Sequence, residues 1–312
     1  MINRLRQLLP IIFALALFSL SIWTINKELH QYSIQQIWHN LAAIPKSRKS
    51  LAILLTGLGY LTMTGYDLLG FRYISQVLAP RKIAFTSFLS YAVGNTVGFT
   101  AFSGTAIRYR FYGGWGVSSI KIAKLIVFTH LTFWLGLFAV SGLVFIVDPL
   151  TIPKLIKLPF TTVHPIGLIF LGLVALYFLI SFTWKSTISI GSESIEFPSP
   201  IISISLIGVS AIDWGIAAAT LYLLLPPDPS LTYPGFFGIY ILGLTAGLIS
   251  TVPGGLGVFE TVILWLRPPS LSAPEVLGAL LGYRVIYYFL PLFVALVLFI
   301  IQEFYNHRAS KP

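Results

Sequence analysis

Apolar residues fall in long blocks, and six of these, 9–25, 51–74, 122–147, 166–182, 201–225 and 276–301, predict helices that cross a bilayer. A hydrocarbon core about 30 Å thick takes about 20 residues of α-helix. Two further blocks, 85–102 and 236–251, are interrupted by Gly, Thr, Asn and Pro and run straight into glycine-rich polar sequence. They predict broken or re-entrant helices rather than full spans. Between the first two spans, Ile34, Ile37, Trp38, Leu41 and Ile44 recur at helical spacing among polar residues. That spacing predicts a short helix that either lies in the membrane interface or simply connects its neighbours. The longest polar stretch, 185–198, is loop-sized, so the expected organisation is one membrane domain over 1–312 with no soluble domain. The expected fold class is an all-α polytopic membrane protein of about six spans plus two re-entrant segments in two loosely repeated halves.

Composition strengthens this reading. The 312 residues are 56% hydrophobic and 10% charged, with a mean hydropathy of +0.86, whereas a soluble domain carries about 25% charged residues. The absence of cysteine removes disulfides, thiolate metal sites and cysteine nucleophiles. A net charge of +10 sits in short loops between apolar blocks, the way membrane orientation is encoded, so we expect anionic-lipid contact and no nucleic acid. Returning both interrupted blocks to their starting side places Arg81, Lys82, Arg108, Arg110, Lys121, Lys124, Lys185, Arg308 and Lys311 on the cytoplasmic face. Arg4 and Arg6 ahead of the first block suit an uncleaved helix with a cytoplasmic amino terminus. A secretory signal peptide is the alternative, but no small-x-small cleavage site follows. Phosphate loops of the GxxxxGK[ST] type, HExxH, GxSxG and Cys/His clusters are missing, so neither a cofactor nor an enzyme activity is expected.

The two interrupted blocks share a plan. Gly94, Asn95, Thr96, Gly98, Thr100, Ser103, Gly104 and Thr105 lead to Arg108, and Gly247, Ser250, Thr251, Pro253, Gly254, Gly255 and Gly257 lead to Glu260. Corresponding broken segments point to a transport site near the midplane; tight glycine-mediated helix contacts are the plainer alternative. Ionisable residues within spans are costly, at least about 2.5–3.5 kcal/mol each at the bilayer centre. They are Asp67, Asp213, Glu260 and Arg284, with Arg108 and Arg110 after the first glycine-rich stretch. Buried arginine beside glycine-rich half-helices suits a phosphate. Arg108 and Arg284 are therefore the candidate headgroup ligands, with Asp67 and Glu260 either orienting those guanidinium groups or receiving a cationic headgroup. Arg110 reads as a further ligand or a solvated loop charge, and Asp213 as a site residue or a structural acid. Tyr283 and Tyr287 line a path beside Arg284 or simply pack, and Pro291 is expected to bend that helix.

Val252-Pro-Gly-Gly-Leu-Gly-Val-Phe-Glu260, then Gly282-Tyr-Arg-Val-Ile-Tyr-Tyr-Phe-Leu-Pro291, resembles the membrane half of the lysylphosphatidylglycerol synthase/flippase (multiple peptide resistance factor) family. Tyr91-Ala-Val-Gly-Asn-Thr-Val-Gly-Phe with Ser103-Gly-Thr-Ala-Ile-Arg108-Tyr-Arg110 resembles that family's first re-entrant region, and Asp67 stands where its acidic residue does. The likeness runs from about Leu51 to Ile301. It implies a stand-alone flippase-like protein of a bacterial cell (inner) membrane, without the soluble synthase domain, moving an anionic or aminoacylated phospholipid between leaflets. Membrane phospholipids are the expected partners, and a homo-oligomer is left open. A membrane-embedded lipid transferase and a non-transporting scaffold are the rival readings.

Overall fold

The computed structural model describes residues 34–97, 100–148, 162–183, 188–190, 193–195, 197–250 and 252–309. The expected first span, 9–25, and Gly98 lie outside the described residues. The elements are α1 (Ile34–Ala43), α2 (Lys46–Tyr73), α3 (Pro80–Val97), α4 (Thr100–Gly114), α5 (Ser119–Val147), α6 (His164–Thr183), α7 (Pro200–Leu224), α8 (Tyr233–Ile249), α9 (Val258–Leu266), α10 (Ala273–Tyr283) and α11 (Leu290–Ala309). A 3₁₀ turn, Pro253–Gly255, precedes α9, and a π-helical turn, Arg284–Phe289, joins α10 to α11. A small antiparallel hairpin pairs β1 (Ile188–Ile190) with β2 (Glu193–Ile195) in what the sequence read as loop.

Among the described residues, five helices are long and apolar enough to cross a membrane: α2, α5, α6, α7 and the run Ala273–Phe304. They coincide with the five expected spans that fall on described residues. Helix α6 makes the bilayer reading concrete, since only 6% of its apolar stretch is buried inside the protein. A helix apolar on all sides and not covered by protein needs lipid around it.

The chain forms two compact units: Met1–Thr56, Asn95–Phe99 and Ala217–Val294, and Gly57–Gly94, Thr100–Ile216 and Ala295–Pro312. They interleave along the sequence and so are not consecutive halves. Each unit contains a helical hairpin that carries a glycine-rich segment.

In the second unit, α4 returns antiparallel along α3. A Cβ on Gly104 would sit 3.0 Å from the Ser90 carbonyl oxygen, and Tyr112 Oη donates to the Ile83 carbonyl at 3.4 Å. Arg81 and Gly114 therefore belong to the same end of this hairpin. Gly94 and Asn95, expected in the turn, instead lie in the last turns of α3. Glycine costs only about 1 kcal/mol inside a helix, which packing of a buried helix outweighs; Pro80, with φ preset for a first helical turn, starts α3 earlier than the apolar pattern did. A core of Phe71, Ile74, Ile83, Tyr112, Val117, Ile122 and Leu125 closes this end of the unit. Long helices cross it at small residues. Gly136 of α5 meets Ser210 of α7, where a Cβ would fall 2.1 Å from Oγ, and Gly142 of α5 meets Gly167 of α6. In lipid, where apolar burial does not draw helices together, such close backbone approach supplies the packing.

In the first unit, α9 returns along α8, with Gly243 against Phe259 and Ile263. Helix α1 packs on α10, because Gly278 and Gly282 leave room for Ile37, Asn40 and Leu41. It is docked on protein along this face, with Ile34 and Trp38 exposed. Arg48 Nη1 donates to the Leu225 carbonyl at 3.0 Å, placing a cation at the carboxy-terminal end of α7, where it opposes the helix dipole. In the loop after α7, Asp228 accepts hydrogen bonds from Ser230 and Ser270, which hold its carboxyl below the ordinary range.

Candidate functional site

Among the described residues, each unit buries one arginine–carboxylate pair, and the two pairs are built differently. In the second unit, Arg108 of α4 meets Asp67 of α2 in a fork. Nε donates to Oδ2 at 3.1 Å and Nη2 to Oδ1 at 2.9 Å. Tyr112, one turn beyond Arg108, donates its hydroxyl to the same Oδ2 at 2.7 Å. The guanidinium also lies 4.9 Å from the centre of the Tyr91 ring. Arg108 is 1% exposed and Asp67 fully enclosed. Bidentate pairing with added hydrogen bonds is what a buried ion pair needs to offset its desolvation. Asp67 thus orients this guanidinium and leaves it little freedom for another anion.

The first unit's pair sits on the glycine-rich turn. Three of its glycines have positive φ: Gly254 at 61°, Gly255 at 62° and Gly257 at 82°. At Gly254 a Cβ would also lie 3.2 Å from the Thr96 carbonyl oxygen, so both backbone hand and space require glycine there. Glu260, in the first turn of α9, accepts from the Gly257 amide through Oε2 at 2.8 Å. Its Oε1 accepts from Arg284 Nε at 2.7 Å. Arg284 Nη1 donates to the Gly254 carbonyl at 2.8 Å. Nη2 lies 2.6 Å from the same Oε1, but off the hydrogen-bonding direction, so its N–H groups have no aligned acceptor. The guanidinium is 4.7 Å from the Tyr288 ring centre and 5.8 Å from that of Phe259.

Arg284 begins the π-helical turn. Pro291 explains that turn locally, since proline has no N–H to donate and its ring crowds the carbonyl four residues back. The Leu290 amide reaches the Val285 carbonyl instead, and Thr96 Oγ1 donates to the Tyr288 carbonyl at 3.3 Å. Tyr283 and Tyr287 are buried and stacked 5.0 Å apart, and the Tyr283 hydroxyl meets that of Tyr240 at 2.9 Å. The rings against the Arg284 guanidinium are those of Tyr288 and Phe259, and Tyr283 and Tyr287 pack on each other beside Tyr288.

Asp213, for which the sequence offered no partner, accepts from the Tyr66 hydroxyl at 3.1 Å. Arg110 is not a loop charge: it lies on α4, exposed, and its Nη2 contacts Glu303 Oε1 at 2.6 Å and Oε2 at 2.7 Å. Surface pairs of this kind contribute about 0–1 kcal/mol. Arg110→Ala is therefore expected to leave the melting temperature near wild type, checked by thermal shift. No group of three or more His, Cys, Asp or Glu that would hold a metal occurs among the described residues.

Sequence reading missed Tyr112 and Tyr66, and named Thr96 in the first glycine-rich stretch without its partner. For Tyr112 a signal existed: it stands four residues after Arg108, on the same helix face. Tyr66 and Thr96 gave none, because their partners are 147 and 192 residues away.

No family model matches the chain. The uncharacterized protein slr0712 of Synechocystis is 44% identical over 309 residues, covering 99% of this chain and 96% of that protein. The chain belongs to its family. The inner membrane protein YbhN of Escherichia coli is 29% identical, over 86% of this chain and 84% of YbhN. A phosphatidylglycerol lysyltransferase of Staphylococcus aureus is 29% identical over 95% of this chain, but the chain spans only 34% of that relative's length. With the apolar helices, these likenesses make the chain an integral membrane protein, related to YbhN and to a part of the lysyltransferase.

Proposed function

We propose that this protein moves the headgroup of an anionic or aminoacylated phospholipid between the two leaflets of the bacterial inner membrane. The observation that carries the reading is Arg284. Its guanidinium is fixed at the glycine-rich turn by Glu260 and the Gly254 carbonyl, while the Nη2 N–H groups keep unused donor capacity. Unused donors on a buried cation suit a phosphate oxygen, which replaces part of its lost hydration with charge-assisted hydrogen bonds. Acyl chains stay in lipid while the headgroup crosses. Arg108, already forked onto Asp67, serves by holding its own unit together, so of the two arginines Arg284 is the better headgroup ligand. Likeness to the phosphatidylglycerol lysyltransferase supports phosphatidylglycerol as the lipid to test first.

In proteoliposomes, fluorescent phosphatidylglycerol is expected to cross faster than a matched neutral diacylglycerol analogue, after subtraction of spontaneous flipping. Arg284→Ala should abolish that preference. Equal protein-dependent acceleration of both lipids would remove the phosphate from the reading, and formation of a new lipid from a labelled donor would favour a transferase instead.

A further inference from the structure

Asp213 stands apart from the other buried acids. Three carboxylates are buried among the described residues, Asp67, Asp213 and Glu260, and the first and last are each tied to an arginine. Asp213, on the span α7, has no Lys, Arg or His partner among the described residues. Its Oδ2 accepts from the Tyr66 hydroxyl, which also lies 3.2 Å from Ser210 Oγ, and its Oδ1 is buried with no hydrogen-bond partner. The next residue, Trp214, buries an equally unpartnered Nε1.

The surroundings offer nothing to neutralise a negative charge. From α2 comes Tyr66 and from α3 comes Tyr91, whose ring centre is 6.1 Å from that of Tyr66. Beyond Tyr91 stands Arg108, already neutralised by Asp67. From α5 come Phe133, whose ring centre is 5.1 Å from that of Trp214, and Gly136 against Ser210, neither of them titratable. An ionised carboxylate without a cation is among the costliest groups a span can hold, and in membrane proteins such acids mark proton relays. The hydrogen-bonded oxygens on this carboxylate's side are the Tyr66 hydroxyl and, through it, Ser210 Oγ. A proton needs one oxygen only, and Oδ1 is free to take it.

We propose that Asp213 is a proton-binding site that couples lipid movement to a transmembrane proton gradient; the coupling rests on the translocator reading above. On uptake, a proton from water forms an O–H bond at Oδ1 and the carboxylate becomes a neutral carboxyl that keeps the Tyr66 hydrogen bond. Release on the other side breaks that bond and returns the proton to water. One proton carried with one singly anionic headgroup moves no net charge. The lipid distribution then follows the pH difference and not the membrane potential.

Two readouts test this on the full chain. Infrared difference spectra of the purified protein should show a carboxyl stretch that appears on acidification and is missing from Asp213→Asn. In proteoliposomes under a difference of one pH unit, phosphatidylglycerol should accumulate in the leaflet facing the more alkaline side, up to about tenfold over equal distribution. Asp213→Asn should return that ratio to about one. If Asp213→Asn does not fold, Tyr66→Phe, which keeps the carboxyl and removes its donor, should shift the pH midpoint of the band. A titrating band unaltered in both variants overturns the proton site. A wild-type ratio of one at every pH difference, with lipid still moving, overturns the coupling and leaves the translocator reading standing, and a response to sodium instead of protons overturns it equally. A band that titrates while no lipid moves overturns the translocator reading and the coupling, but leaves Asp213 as a proton site.

Discussion

Asp67→Ala is expected to lower stability by about 3–5 kcal/mol, the usual cost of stranding one member of a buried ion pair. The change removes the acceptor of Arg108 Nε, Arg108 Nη2 and the Tyr112 hydroxyl together. Both arginine donors are left in a region with almost no access to water, while the Tyr112 hydroxyl keeps only its longer contact with the Ile83 carbonyl at 3.4 Å. Asp67→Asn, which keeps one acceptor oxygen but loses the charge, should fall between alanine and wild type. The double change Asp67→Ala with Arg108→Ala removes the stranded charge and should recover much of the loss, though not the volume of two buried side chains. Thermal unfolding in detergent, run as a double-mutant cycle, measures this. Additive losses would show that the fork contributes nothing as a pair.

Glu260→Ala is expected to be nearly as damaging, for two separable reasons. It strands Arg284, again at about 3–5 kcal/mol, and it removes the side chain that accepts from the Gly257 amide at the start of α9, a cap worth about 1 kcal/mol. The double change Glu260→Ala with Arg284→Ala should therefore recover most of the folded yield but remain about 1 kcal/mol short of wild type. Lipid movement should not recover, because the proposed phosphate ligand is gone. A double-mutant cycle on melting temperature, beside a flipping assay at matched protein density, reads both parts. Wild-type flipping by the double variant would show that Arg284 does not carry the lipid. Full recovery of stability would show that the Glu260 cap is dispensable.

The contrast between the pairs is a difference in local chain geometry. Arg108 lies within a regular helix, so a facing span supplies Asp67 for its fork, and Tyr112 on the same helix face one turn on holds that carboxylate as well. Arg284 begins a π-helical turn imposed by Pro291 and faces a run of left-handed glycines. Its acceptors are one carboxylate oxygen and one carbonyl, and its third nitrogen is left with poor geometry. A phosphate needs donors not already taken, which is why the second arrangement, and not the tighter first, carries the functional reading.

The sequence by itself determined the solvent and placed the five spans that fall on described residues. Apolar blocks of bilayer length do not depend on tertiary contacts, because in lipid each helix satisfies its own backbone hydrogen bonds, and the five expected spans on described residues were found. It also singled out the residues whose burial is costly, since an ionisable side chain within such a block is conspicuous wherever the chain folds. The tertiary structure alone decided who neutralises whom. Asp67 and Arg108 are 41 residues apart and Glu260 and Arg284 are 24 apart, distances over which no helical periodicity speaks, and Asp213 ended with a tyrosine and no cation. The structure alone also decided that Gly94 and Asn95 stay helical while Gly254, Gly255 and Gly257 turn. Glycine permits either conformation at a cost of about 1 kcal/mol, so the choice falls to the packing of neighbouring helices, which composition does not contain.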